Sequence, residues 1–353
     1  MANAWDPNAT AYTLKDFASV QVNDKIGYFA NLLARTNSIL GDMPMVECNA
    51  GTMHEGVLLT KMGTVGTKRF NAGVAVSKNE YTKIQETTAM YEARTKLDAY
   101  MYKTMKNGKD FRLMQSEVFV EAFQQTLNRD LLYANSTDDS GAKFDGLAAR
   151  YSSLTSDVGQ RNILDAGGTG ADNTSIWLVC WGPKTIHGIY RQGTTLGLSH
   201  EDLGQSTIMD ADGKEYEVVR DKWNQHLGLF VQDWRYAVRI ANVDVSDLMS
   251  LSGTQNPTNS NPYSIANLMR DAIDTIPMMG MGTPVFYANR KVISKLRSML
   301  QIQKSPDFNN YTQSLQQATP LKIGAIADNR NYFDGDIPIR TVDELLNTEA
   351  RVV

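Results

Sequence analysis

Between Asp110 and Asn135 the apolar residues Met114, Val118, Phe119, Ala122, Phe123, Leu127 and Leu131 recur at helical spacing. Gln115, Glu121, Gln125, Asn128 and Arg129 fall mostly between them. That period predicts one long helix with an apolar stripe turned into a core. Val118, Phe119, Phe123 and Leu127 form the middle of the stripe. Gly108 ends the preceding segment, and Asp110 can cap the first turn with its carboxylate. The polar run Ser136-Thr137-Asp138-Asp139-Ser140-Gly141 stops the helix.

Upstream the period differs. Residues 1–23 hold few apolar positions and read as an extended arm, and Asp24–Arg35 as a short amphipathic helix carrying Ile26, Phe29, Ala30 and Leu33. In residues 50–80, Phe70, Ala72, Val74 and Val76 alternate with Asn71, Gly73, Ala75 and Ser77, the period of a strand. Val57 and Leu59 begin an opposing strand, and Gly63-Thr64-Val65-Gly66 supplies the turn. The product is a long hairpin with little of its own to pack on. Tyr81–Tyr102 starts as strand and ends as helix.

Downstream, Phe144–Tyr151 re-enters the core and residues 152–175 are loop-rich. Ile176–Trp181 is a continuous apolar run, as in a strand buried on both faces. Thr207–Val219 reads as strand, turn, strand around Asp212-Gly213. Tyr236, Val238 and Ile240 alternate with Ala237, Arg239 and Ala241 in another strand, and Asn256–Tyr263 is a loop. Ile265, Leu268, Met269, Ala272 and Ile276 form a helical stripe ended by Pro277. Val285-Phe286-Tyr287 is a strand, and Asn289 caps a helix with Val292, Ile293, Leu296, Met299 and Leu300. Residues 304–320 are polar. Ile337–Arg340 is a last strand whose proline suits an edge. Helices and strands are mixed along the chain.

The 353 residues allow a sizeable core, and 42% hydrophobic with 21% charged residues is ordinary for a globular protein. A net charge of −4 argues against a dedicated nucleic-acid binder. Cys48 and Cys180 are too few for a disulfide framework, so a reduced compartment is expected. The first residues lack the features of a signal peptide, and no run is long enough to span a membrane.

Candidate chemistry is thin. Gly167-Gly168-Thr169-Gly170 lacks the Gly-Lys-Ser/Thr of a phosphate loop and precedes its strand instead of following it. Asp210-Ala211-Asp212-Gly213 opens like a calcium loop, but Lys214 and Glu215 occupy the fifth and sixth positions. His54, His187, His200 and His226 are scattered, and His200-Glu201-Asp202 reads as a solvated or interface cluster. No catalytic, cofactor or metal site is expected, and the chain reads as a non-enzyme.

Asn173–Tyr190, Gly197–Gly204 and Asp233–Asn242, with Phe144–Tyr151 and Ala166-Gly167-Gly168, are similar to the major capsid proteins of tailed bacteriophages, in a short-tailed-phage-like group. The resemblance is closest over residues 80–250. It implies an α+β, HK97-like capsid fold: an N-terminal arm and short helix (1–47), an E-loop hairpin (48–80) and a P-domain with a spine helix (81–155, helix 110–135). An A-domain with some P-domain strands (156–330) and a C-terminal strand and helix (331–353) complete it. It also implies that Gly63, Gly66, Phe70, Val74 and Val76 make inter-subunit contacts. The implied function is self-assembly, through hexamers and pentamers, into an icosahedral shell around double-stranded DNA. Portal, scaffolding and cement or decoration proteins are the implied partners, with DNA held on the inner face without sequence specificity. The implied location is the virion capsid, assembled in the host bacterial cytoplasm. An encapsulin-like nanocompartment shell is the alternative, and an α/β enzyme stands further off.

Overall fold

The computed structural model describes residues 21–22, 25–26, 38–104, 107–156, 159–209, 212–249, 262–302, 321–323, 331–333 and 337–353. In chain order these form β1 (Gln21–Val22), β2 (Lys25–Ile26), α1 (Ile39–Asp42), β3 (Met45–Glu47), β4 (Met53–Lys61), β5 (Glu80–Thr87) and β6 (Ala89–Asp98). Next come α2 (Ala99–Thr104), α3 (Gly108–Tyr133), α4 (Leu147–Arg150), α5 (Gly159–Asn162), β7 (Ile163–Asp165), β8 (Asn173–Trp181) and β9 (Ile186–Tyr190). Then follow β10 (Ser199–Met209), β11 (Glu215–Val231), β12 (Ala237–Asp244), α6 (Val245–Met249) and α7 (Pro262–Thr275). The last are β13 (Thr283–Ala288), α8 (Arg290–Ile302), β14 (Leu321–Ile323), β15 (Asn331–Phe333) and β16 (Ile337–Thr341). Two compact units result. One gathers Ala89–Leu127 and Thr194–Leu227, and the other Arg35–Thr88, Asn128–Gly193 and Gly228–Val353.

In the first unit β11 lies between β6 and β10, antiparallel to both. The β10–β11 turn falls at Asp212-Gly213, with Gly213 at φ +76°. Helix α3 covers one face of this sheet. Phe119 stacks on Trp223 with ring centroids 5.0 Å apart, and Phe111 and Met114 close a small core with Leu97 and Met101. Arg112 grips Asp221 from Nε at 2.7 Å and Nη2 at 2.5 Å, and Nη2 also reaches Asp202 at 2.8 Å. The guanidinium holds the Asp202 carboxyl below its usual range. His200 Nε2 lies 2.9 Å from the same Asp221.

Three expectations about α3 change. Gly108 opens the helix instead of ending the segment before it, because a Cβ there would lie 2.4 Å from the Tyr102 carbonyl oxygen. Asp110 sits inside the first turn, where its charge meets the helix dipole. Val118 is 40% exposed instead of buried. The buried face is not one stripe. At about 100° per residue, Phe123 and Leu127 lie roughly 120–180° round the helix from Phe111 and Met114. Val118 continues the first line after the packing beneath it has ended, while Phe123 and Leu127 are buried.

In the second unit β8 is buried at every position. It pairs antiparallel with β12 on one side and β13 on the other, and Trp181 meets Ile186 of β9. Helix α7 packs on β12 and on α8, turning Ile265, Met269 and Ala272 inward against Val292, Ile293 and Leu296. Asn289 Oδ1 accepts the Lys291 N–H, which caps α8. Buried Arg239 is matched inside the same core. Its Nη2 donates to Glu349 at 2.8 Å, its Nε to Ser175 Oγ at 3.0 Å and its Nη1 to the Tyr151 carbonyl at 2.7 Å. Tyr133 also donates to Glu349. Asn242, at φ +58°, exchanges hydrogen bonds with the Val352 backbone.

Other expectations are corrected here. β16 is not an edge: it runs parallel to β13 on one side and antiparallel to β15 on the other, with Pro338 opposite Tyr332. Residues 342–353 form turns and extended chain, without the expected helix. Within 152–175 lie α5 and β7, the latter parallel to β12. Pro262 begins α7, the first-turn position where a missing N–H costs nothing. Lys25 and Ile26, expected in a helix, form β2; the rest of that segment, most of the arm and residues 304–320 lie outside the described residues.

Candidate functional site

The candidate site is the hairpin of β4 and β5, which belongs to the second unit. Its root is built into that unit. Gly56 lies against Phe230, where a Cβ would stand 2.6 Å from the ring; a glycine inside a strand marks such an approach. Ile84 packs on the buried cluster of Cys48, Ile189 and Phe230, and burial pushes the Cys48 thiol up to about 11. Both oxygens of Glu86 accept from Arg150, at 2.6 and 2.7 Å. Gln232 Nε2 donates to the Val57 carbonyl at 3.1 Å, and Asn49 bonds both the N–H and the carbonyl of Glu55 at 2.8 Å. His54 and His187 close the root around Phe230, with His54 edge-on to His187 at 5.6 Å. Burial lowers the His187 imidazole to about 4, and the charge His54 would carry adds to the effect.

Away from the root the ladder stops at Lys61 and Glu80, so Phe70, Val74 and Val76 are not in strands as expected. The two arms still track each other. The Gly63 N–H donates to Asn79 Oδ1 at 2.7 Å, and Ser77 Oγ donates to the Thr64 carbonyl at 2.9 Å. A Cβ on Gly66 would lie 3.1 Å from Val74. Gly63 and Gly66 therefore belong to one arm, not to the turn. The turn is Arg69-Phe70-Asn71-Ala72, where the Ala72 N–H returns to the Arg69 carbonyl and Asn71 takes φ +64°.

This tip exposes what a core would normally hold. Val65, Phe70 and Val76 are fully exposed, and Val74 is 43% exposed. Lys68, Arg69 and Lys78 are the charged residues between Met62 and Asn79, and no acid offsets them. The arrangement is an apolar, cationic finger on a rigid base. It suits docking onto another surface and offers no constellation for chemistry. The sequence places a hairpin here but not its base: Glu86, Arg150, Phe230 and Gln232 carry no local signal, and Gly56 alone could be read as a close approach. Among the described residues no group of three or more metal-ligating side chains converges, and no helix is long and apolar enough to cross a membrane.

Residues 21–353 match the family model described as Major capsid protein GP7. No curated protein matches the chain. Among solved structures the chain is similar to one of bacteriophage Epsilon15, at 24% identity and TM-score 0.70, covering 100% of this chain and 99% of that one. Two further likenesses are to the capsid of bacteriophage JBD30 and to an encapsulin complex of Synechococcus elongatus. The first has 9% identity and TM-score 0.45, over 80% of this chain and 89% of that one. The second has 11% identity and TM-score 0.46, over 69% and 100%.

Proposed function

The chain belongs to the GP7 family of major capsid proteins, with the α+β, HK97-like fold of phage capsids, and from that premise we propose that the β4–β5 hairpin is the strap joining one subunit to the next. The observation that carries this is the fully exposed apolar tip on a base tied down by Gly56, Glu86 and Arg150. A two-stranded hairpin gains little stability alone in water, so Val65, Phe70 and Val76 reach a stable setting by lying across a second copy of the chain. The tip's three cations favour an acidic receiving surface. The exposed line Asp110, Leu113, Glu117 and Val120 of α3 offers that chemistry together with apolar contact.

Repeated around closed rings of six and five, these contacts build an icosahedral shell, with the first unit as P-domain and the α7–β13–α8 region as part of the A-domain. The shell encloses double-stranded DNA and is completed with portal, scaffolding and cement or decoration proteins in the host bacterial cytoplasm. The test is deletion of residues 63–78 joined by a short turn. Particles in electron micrographs should vanish while the monomer keeps its wild-type melting temperature. Normal particles from the deletion chain would end the strap reading, and an unfolded monomer would show that the tip serves its own core.

A further inference from the structure

The foot of the β4–β5 hairpin meets the rest of its own unit through three rings. His54, on β4, stands opposite Glu86 of β5, and His187, on β9, stands opposite Phe230 of β11. His54 lies edge-on to His187 with centroids 5.6 Å apart and edge-on to Phe230 at 4.6 Å, and His187 lies 5.2 Å from Phe230. His187 is 2% exposed. Among the described residues, neither of its ring nitrogens nor Nδ1 of His54 reaches a hydrogen-bond partner. A neutral imidazole leaves one N–H of His187 unmatched there, and an imidazolium would leave two. The acids on the surrounding elements are engaged elsewhere. Glu47 accepts the Gly193 N–H, Glu55 accepts from Lys83 and Gln85, Glu86 from Arg150, and Asp233 from Arg235. The Cys48 thiol stays protonated in its buried cluster, and Lys184, exposed in the turn before β9, is a further cation. Among the described residues β4 and β5 share no ladder with β9 or β11, so the foot can lift without opening a sheet.

We propose that the His54–His187 pair is an acid-sensitive catch: neutral imidazoles seat the foot of the hairpin on the sheet, and protonated ones unseat it while the rest of the unit stays folded. The catch belongs to the foot and holds whatever surface the tip touches. Two like charges in this joint repel, and each regains water only when the hairpin lifts. Histidine is the side chain whose charge changes near neutral pH; leucine would pack against Phe230 without that response. Burial lowers both imidazoles, His187 to about 4, while the Glu47 carbonyl draws His54 partly back. A seated value below the ordinary 6.5 means that seating is complete above about pH 6.5 and is lost as pH falls towards about 4. For His187 alone, the unseated population rises about twentyfold between about pH 7 and about pH 5.

The test is amide hydrogen exchange on the full-length protein across that pH range, read as protection corrected for the intrinsic pH dependence of exchange. In the wild type, residues 53–59 and 83–87 should lose protection about twentyfold, while β8 keeps its own. His187→Gln should remove most of that loss and His54→Gln part of it. His226→Gln, on β11 in the other unit, should remove none. Should His187→Gln be unseated already at neutral pH, His187→Leu restores packing without a titrating group and should stay seated in acid. A wild-type acid response in His54→Gln, or in whichever His187 variant is seated at neutral pH, overturns the catch. Loss of protection in β8 together with the hairpin also overturns it, since the acid would then be unfolding the whole unit. An acid-sensitive foot in a chain that forms no particles sinks the strap and leaves the catch standing. Particles from a chain whose foot keeps its protection in acid do the reverse.

Discussion

Strand β8 and the tip of the β4–β5 hairpin are both apolar, and they meet opposite ends. Ile176, Trp177, Leu178, Val179 and Cys180 are wholly buried within their own unit, with a strand on either side. Val65, Phe70 and Val76 are wholly exposed within theirs. The same residue types are covered by their own chain in one place and left uncovered in the other. What separates them is whether the chain supplies the covering surface itself. Mutations should therefore split cleanly between loss of folding and loss of assembly.

Arg239→Ala should show the largest loss of folding. It leaves the Glu349 carboxylate buried without its cation, which costs on the order of 3–5 kcal/mol. Chemical denaturation would register it, and a wild-type midpoint would mean that the network around Ser175 adds little. Acid should come next. His187 is neutral when folded, with a pKa of about 4, against an unfolded value of 6.5. The unfolded chain binds the extra proton first, so stability falls as pH drops from about 6.5 to about 4, by roughly 3 kcal/mol at most. His187→Gln should flatten that part of the stability–pH curve. A variant whose curve runs parallel to wild type would place the acid sensitivity elsewhere.

Glu86→Gln sits at the border between the two regions. Losing one charge of the Arg150 pair should cost about 1–2 kcal/mol and loosen the base, so particles should form slowly or misshapen. A change in stability with normal particles would show that the base need not be rigid. Phe70→Ser should be the smallest in folding, within about 0.5 kcal/mol, yet light scattering should show assembly impaired. Unaltered assembly kinetics would strip the tip of its assigned role.

The contrast also explains what the sequence could show. β8 was legible because burial on both faces leaves an unbroken run from Ile176 to Trp181. The existence of α3 was legible from its period, but its inward face was not, since Val118 fits a single stripe and the helix buries two. The hairpin was found by alternation, yet its turn was assigned to Gly63–Gly66 because glycine is the stronger turn signal. Asn71 does that work instead, being one of the few side chains that tolerate a left-handed backbone. Pro338 looked like an edge residue because β15, which covers it, is only three residues long. Arg239 and Glu349 are 110 positions apart, and no local pattern announces such a pair.

That last separation has a consequence in time. The hairpin leaves the ribosome early, ending at Thr87, while the carboxylate that neutralises Arg239 emerges 110 residues after it. At about 5–20 residues per second the wait is on the order of 5–20 seconds. During it the hairpin is already synthesised, but the sheet that anchors its base still holds an unmatched charge. A nascent subunit is thus sticky before it is shaped, and crowding of ribosomes on one message would be the condition that most endangers correct assembly.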